Sequence, residues 1–303
     1  MPLLEGVFAA AVTPRRLGLQ DINLGVLWEL MDFLTERGAQ GIVLLGATGE
    51  FVHYSTSERM RMTGLAPRRS RVPVLINVSH STLDGAVELA QAAASSGAAG
   101  VLLMPPYFFR YSDEALRSFY LRFAEDADIQ IPTLLYNIPQ FTSAVSPDLL
   151  EFLLRQGAVH GVKDSSGDPD LMTRLVTLRR EIAFTLMIGN DNLFARALPE
   201  GISGVISGVA CAVPELLLAL SRAVQSQDGD AAGRLETRLA QIIGWIDRLP
   251  VPVAIKEAIA SRGLKVGPHA VPLSSDQSQL AADFRSWLKS WLEEVLAECK
   301  SVR

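Results

Sequence analysis

Lysine is scarce in this sequence and unevenly placed. Only five of 303 residues are lysine, and Lys163 alone precedes the group Lys256, Lys265, Lys289 and Lys300. Arginine supplies the other positive charges, and a guanidinium keeps its proton and cannot form an imine. Cysteine is rarer still: Cys211 and Cys299 are too few and too unpatterned for a disulfide framework or a metal site. With four histidines in the whole chain, no His/Asp/Glu cluster supports a metal centre. No apolar run reaches the length of a bilayer span, and Met1–Glu5 lacks the basic flank of a signal peptide. Long basic runs are absent, and Arg68, Arg69 and Arg71 make only a small patch of the kind found at a solvated helix end. The net charge of −5 and pI near 5.5 argue against nucleic acid or an anionic membrane as partner. The expectation is a cytoplasmic, soluble enzyme that uses no metal or other cofactor.

What the sequence does contain is alternation. Short apolar or β-branched runs fall at Val7–Val12, Gly41–Leu45, Val72–Val78, Gly100–Met104, Pro132–Tyr136, Val159–Lys163, Phe184–Ile188 and Gly204–Ser207. Between them lie amphipathic stretches at Asn23–Arg37, Ser57–Arg69, Leu83–Ser95, Asp113–Asp126, Pro147–Arg155, Pro169–Arg180 and Asp191–Ala197. Ser112 and Ser146 stand where a side-chain oxygen would satisfy the first free amides of a helix. This alternation, at about 25 to 30 residues per unit, implies βαβ units with a parallel sheet. Eight such units predict an α/β chain closed into a (β/α)8 TIM barrel. Beyond the eighth strand, Pro214–Ser226, Asp230–Leu249, Val251–Ser261 and Gln277–Glu298 read as helices without strands between them. One completes the eighth unit, so the expected division is a barrel over 1–226 and a packed C-terminal helical extension over 227–303.

Catalytic groups of such a barrel sit at the C-terminal ends of its strands. Strand 5 would end at Tyr136 and strand 6 at Lys163, placing the two on neighbours about 5 Å apart. A lysine desolvated at a strand tip is a nucleophile toward carbonyls, and a phenol beside it can relay protons to and from the resulting imine. An arginine-rich composition would also leave few lysines, and a rim tyrosine can simply face water; the pairing of the two is what carries the chemical reading. Strand 2 runs into Gly46-Ala47-Thr48-Gly49-Glu50, whose amides and Thr48 hydroxyl could hold a carboxylate. The spacing is not that of a phosphate loop. Glu50 reads as a residue that caps or bonds neighbouring backbone, and His80 as a packed rim residue.

Together, Gly46-Ala47-Thr48-Gly49-Glu50, Tyr136-Asn137-Ile138-Pro139, Gly161-Val162-Lys163-Asp164 and Gly204-Val205-Ile206-Ser207 resemble the dihydrodipicolinate synthase/N-acetylneuraminate lyase family of class I pyruvate-dependent aldolases. The resemblance spans nearly the whole chain. It implies a Schiff base between Lys163 and the ketone of pyruvate or another 2-oxo acid, with Tyr136 as acid and base. It also implies that Thr48 and the amides at Ala47 and Thr48 hold the carboxylate, with the Ile206 carbonyl facing the substrate. A homo-oligomer, dimer or tetramer, is a further implication, with Tyr107–Arg110 where the family packs aromatic residues across an interface.

Three residues depart from the synthase pattern. Ala47 stands where the synthases have a hydroxyl, Phe108 where a second tyrosine completes a proton relay, and Phe141 where an arginine binds the aldehyde's carboxylate. The string Tyr136–Phe141 with Lys163-Asp164-Ser165-Ser166-Gly167-Asp168 looks more like the branch that cleaves or dehydrates 2-keto-3-deoxy sugar acids, whose hydroxyls would find polar rim donors in Gln140, Thr142, Ser165, Asn190 and Ser207. A 4-hydroxy-tetrahydrodipicolinate synthase proper and a 2-keto-3-deoxy acid dehydratase remain as alternatives. So does a degenerate barrel with a binding role, although a scaffold needs neither Lys163 nor Tyr136.

Overall fold

The computed structural model describes residues 3–16 and 21–302; Met1 and Pro2 of the N-terminal stretch lie outside them. Eight parallel strands close into a barrel in sequence order. They are β1 Gly6–Ala10, β2 Gly41–Leu44, β3 Val74–Asn77, β4 Gly100–Leu103, β5 Thr133–Asn137, β6 Gly161–Asp164, β7 Thr185–Ile188 and β8 Gly204–Ser207. Nearly every strand residue is buried, because the inner face packs on the barrel core and the outer face on helices. The strands begin and end within about two residues of the sequence reading. The apolar runs extend past the hydrogen-bonded ladder into buried loop residues, such as Val12, Val78 and Met104.

Helices follow the strands: α1 Leu24–Glu36, α2 Thr56–Arg69, α3 Leu83–Ser95, α4 Asp113–Ala127, α5 Pro147–Arg155 and α6 Pro169–Leu178. Their starts are set by side-chain caps. Ser112 accepts from the Ala115 amide and Ser146 from the Leu149 amide, as the sequence suggested. Ser55 and Glu58 form a reciprocal capping box at α2. The helix expected over Asp191–Ala197 is instead a 3-10 turn, Asp191–Leu193, running into a single turn α7, Phe194–Ala197. A further short helix, α8 Val209–Ala212, follows β8 and was not expected. Four residues give too little periodicity to stand out in a fully buried apolar run.

The C-terminal helices are α9 Pro214–Gln225, α10 Gly229–Ile246, α11 Val253–Ser261 and α12 Ser275–Ser301. Helix α12 is fixed to α10 by a run of aromatic contacts. Trp287 lies 5.6 Å from Trp245 and 5.0 Å from Trp291 between ring centroids, and Trp291 Nε1 donates to Gln241 Oε1 at 2.8 Å. Such pairs contribute about 0.5–1.5 kcal/mol each beyond area burial. They tie α12 to α10, which lies over the C-terminal mouth of the barrel.

Closure depends on close approach between β8 and β1, where Gly6 pairs with Gly204. A Cβ on Gly204 would penetrate the Gly6 carbonyl oxygen, which is backbone and cannot swing aside. Gly204→Ala is therefore expected to lower unfolding stability by about 3 kcal/mol, as an overpacked core does; an unchanged midpoint in urea titration would show that the seam is soft.

Candidate active site

The β5–β6 register sets Tyr136 directly opposite Lys163, and Asn137 opposite Asp164. Both side chains are buried, and Lys163 Nζ lies 4.0 Å from the Tyr136 ring centroid. The residues that follow them lock the two strand ends together. Asn137 Nδ2 donates to Asp164 Oδ1 at 2.7 Å, and Ser166 Oγ to Asp164 Oδ2 at 2.9 Å. Burial raises the Asp164 carboxyl above its ordinary range, with the Asn137 and Ser166 donors opposing. On the other side of Lys163, a Cβ on Gly189 would stand 3.0 Å from Lys163 Cε, so glycine lets β7 approach the lysine stem.

The glycine turn after β2 is held from several directions. Leu45 adopts φ +59° just before it, and its carbonyl accepts from Asn77 Nδ2 at 2.7 Å. Thr13 Oγ1 donates to the Gly49 carbonyl at 2.7 Å, and a Cβ at Gly49 would meet the Leu45 amide nitrogen at 2.9 Å. Among the described residues no acceptor engages the Ala47 or Thr48 amide, which leaves both donors for a ligand.

These parts converge on one cavity of about 430 Å³ at the barrel mouth. All seven residues expected at the site, Lys163, Tyr136, Ala47, Thr48, Ile206, Gln140 and Ser165, line it, as do Asn190 and Phe141. Thr142 does not: it is buried, with its hydroxyl bonded to the Ile138 and Ser143 carbonyls. His80 bonds Thr82 outside the cavity. Ser207 is buried behind the wall, accepting from the Ala210 amide at 2.9 Å.

Two contributions to the site were not foreseen. The first is the roof from the C-terminal region, where Ile243 and Ile246 of α10, Val251 of the connection and Ile255 of α11 give the cavity an apolar side. The second is Asp191, at the start of the turn after β7. Its Oδ1 is buried without a hydrogen-bond partner, and burial raises its carboxyl to about 6. The Ser207 hydroxyl, the Val209 amide and the Lys163 charge oppose that shift. An aspartate in a loop carries no sequence signal of burial.

Glu50 corrects the sequence reading. It makes no capping bond and instead forms a buried ion pair with Lys256 of α11, whose Nζ also reaches the Pro268 carbonyl. Arg15 stacks over Tyr54 at 4.3 Å beside this pair. Burial lowers the Lys256 ammonium, with the Glu50 charge opposing. The ion pair thus fastens the extension to the glycine turn. At the rim, Phe108 has φ +86° and is 88 % exposed. Tyr107 packs edge-on against Phe51 at 5.5 Å.

Removing one member of a buried pair strands the other charge, so Lys256→Met should cost about 3 kcal/mol of stability, and adding Glu50→Gln should restore most of it; a single variant as stable as the parent in denaturant titration would rule out this role. The raised Asp191 carboxyl has a sign too. Its contribution is present below pH 4 and lost as pH rises through about 6, so Asp191→Asn should gain up to about 3 kcal/mol on the parent across that window. Thermal melts at pH 4 and pH 7.5 test this, and an equal difference at both would refute it.

Comparison with known proteins gives a consistent picture. The model of the "Dihydrodipicolinate synthetase family" matches residues 3–290. A 4-hydroxy-tetrahydrodipicolinate synthase of Methanosphaerula palustris is 32 % identical over 295 residues, covering 95 % of this chain and 100 % of the relative. The protein of the same name from Methanoculleus marisnigri is 31 % identical over 277 residues, covering 89 % and 94 %. Among solved structures, the prophage protein YagE of Escherichia coli K12, a dihydrodipicolinic acid synthase family member in complex with pyruvate, superposes with TM-score 0.87 at 26 % identity over 96 % of this chain and 99 % of that one. A putative dihydrodipicolinate synthetase from Pseudomonas aeruginosa gives TM-score 0.87 at 27 % identity, covering 95 % and 99 %.

Proposed function

From the premise that the chain belongs to the dihydrodipicolinate synthetase family, we propose that Lys163 forms a Schiff base with pyruvate or another 2-oxo acid and that the protein makes or breaks a carbon–carbon bond at C3 of that adduct. The observation that carries this reading is the buried Lys163–Tyr136 pair in one cavity with the open amides of Ala47 and Thr48. The Lys163 amine attacks the ketone, and loss of water leaves a protonated imine. The Thr48 hydroxyl and the two amides hold the substrate carboxylate. The cationic imine draws electrons from C3, so either loss of a C3 proton or cleavage of the C3–C4 bond yields an enamine. The Tyr136 hydroxyl stands beside these atoms as a proton relay.

For the second substrate, the names of the similar proteins support 4-hydroxy-tetrahydrodipicolinate synthase as the first reading. One feature of the cavity favours the 2-keto-3-deoxy sugar acid reading expected from sequence. Among the described residues, Lys163 is the sole lysine or arginine lining it, whereas Asp191 and Asp247 both do. A second carboxylate finds no cation there, while hydroxyls find Gln140, Ser165 and Asn190. Assay of 4-hydroxy-tetrahydrodipicolinate formation against pyruvate release from 2-keto-3-deoxy acids separates the two. The exposed Phe108 and Phe109 support a homo-oligomer.

Treatment with pyruvate and borohydride should add about 72 Da, the mass of a reduced pyruvate imine, on the Lys163 peptide. Lys163→Arg should give no adduct, and Tyr136→Phe should turn over about 10²–10⁴-fold more slowly. A full adduct in the arginine variant would defeat the Schiff-base reading.

A further inference from the structure

Before Lys163 can attack a ketone its ammonium must lose a proton, and the hydroxyl of the carbinolamine must later gain one to leave as water. Among the described residues lining the cavity, the titratable groups are Lys163, Tyr136, Asp191 and Asp247. Asp247 lies on the exposed surface after α10. Asp191 differs from it: one carboxyl oxygen is buried without a partner, at the wall of the cavity that holds the lysine. The groups acting on its carboxyl are the Ser207 hydroxyl at the end of β8, the Val209 amide at the start of α8, and the Lys163 charge on β6. The Ser207 oxygen already accepts from the Ala210 amide, so its own proton is free to point at the carboxylate. Asp191 and Lys163 line the same cavity without a direct ion pair within 4.0 Å, so a proton passing between them needs a carrier such as water.

We propose that Asp191 is the proton carrier of imine formation, taking a proton from the Lys163 ammonium through a bridging water and returning it to the carbinolamine hydroxyl. The steps balance. Proton transfer converts ammonium and carboxylate into amine and carboxylic acid. The amine lone pair forms the N–C2 bond and the C2–O π pair moves to oxygen, which takes up one of the two remaining amine protons as the carbinolamine forms; the other proton stays on nitrogen. The acid then protonates that hydroxyl, the C2–O bond breaks, and water leaves behind a protonated imine and an ionised Asp191. No oxidant or further reactant is needed. The carboxylate regenerated at the end faces the cationic imine and partly neutralises it. The chemistry of the group suits this role, because a carboxyl titrating at about 6 exchanges protons readily at neutral pH, which one in open water does less well. Tyr136 is left to serve C3 and the second substrate.

This inference rests on the Schiff-base reading, and its test needs pyruvate alone. The rate at which cyanoborohydride traps the Lys163 adduct is measured against pH in the full-length protein, in Asp191→Asn and in Asp191→Glu. In the parent the rate should rise with pH through about 6, as the carboxyl ionises and becomes able to accept a proton. Asp191→Asn should form the same adduct roughly a hundredfold more slowly, with that limb missing from its profile. Complete modification after long incubation shows that the variant's site is folded. Asp191→Glu should recover part of the rate together with a limb. An asparagine variant with the parent's rate and profile overturns the proposal, as does failure of both variants to be modified at all, which marks a structural role. If the unaltered protein forms no adduct, the Schiff-base reading fails first and this one with it.

Discussion

The β8–β1 seam is the constraint on which the rest of the molecule depends. A parallel sheet of eight strands closes only if its first and last members pair in a fixed register, and here the pairing runs through two glycines whose backbones touch. Once that seam is set, the stagger of every other pair follows around the ring. Tyr136 reaches the level of Lys163 only because β5 and β6 are two links of a closed chain of registers. The chemistry at the mouth therefore begins with a packing problem on its far side.

The site is also one of electrostatic asymmetry. One buried cation, Lys163, shares the cavity with neutral donors and with the carboxyl groups of Asp191 and Asp247. In the proposed adduct the imine keeps the positive charge and brings in the substrate's carboxylate, so the donors at Ala47 and Thr48 and the Asp191 carboxyl face opposite charges of one bound molecule. The apolar roof from α10 and α11 lowers the local dielectric and strengthens both interactions.

Much of this was legible in the sequence. Eight strands with their order, and the partnership of Tyr136 with Lys163, follow from apolar periodicity and from the single early lysine. Those features are local, and a strand's burial is written in its own residues. Strand ends shifted because loop residues next to the barrel are as apolar as the ladder itself. Asp191, Glu50 and the roof were illegible for a different reason. Each acquires its role from a distant part of the chain: Asp191 from β6 and β8, Glu50 from Lys256, and Ile246 from the aromatic run that pins α12. No spacing within a motif reports such encounters.

That aromatic run has an optical consequence. The chain has four tryptophans, and Trp245, Trp287 and Trp291 stand together between α10 and α12, while Trp28 alone belongs to the barrel. Intrinsic emission of this protein is thus weighted toward α10 and α12, the C-terminal helices, rather than toward the barrel. A spectroscopist following its fluorescence watches the C-terminal helices part from one another before the barrel itself is seen to open.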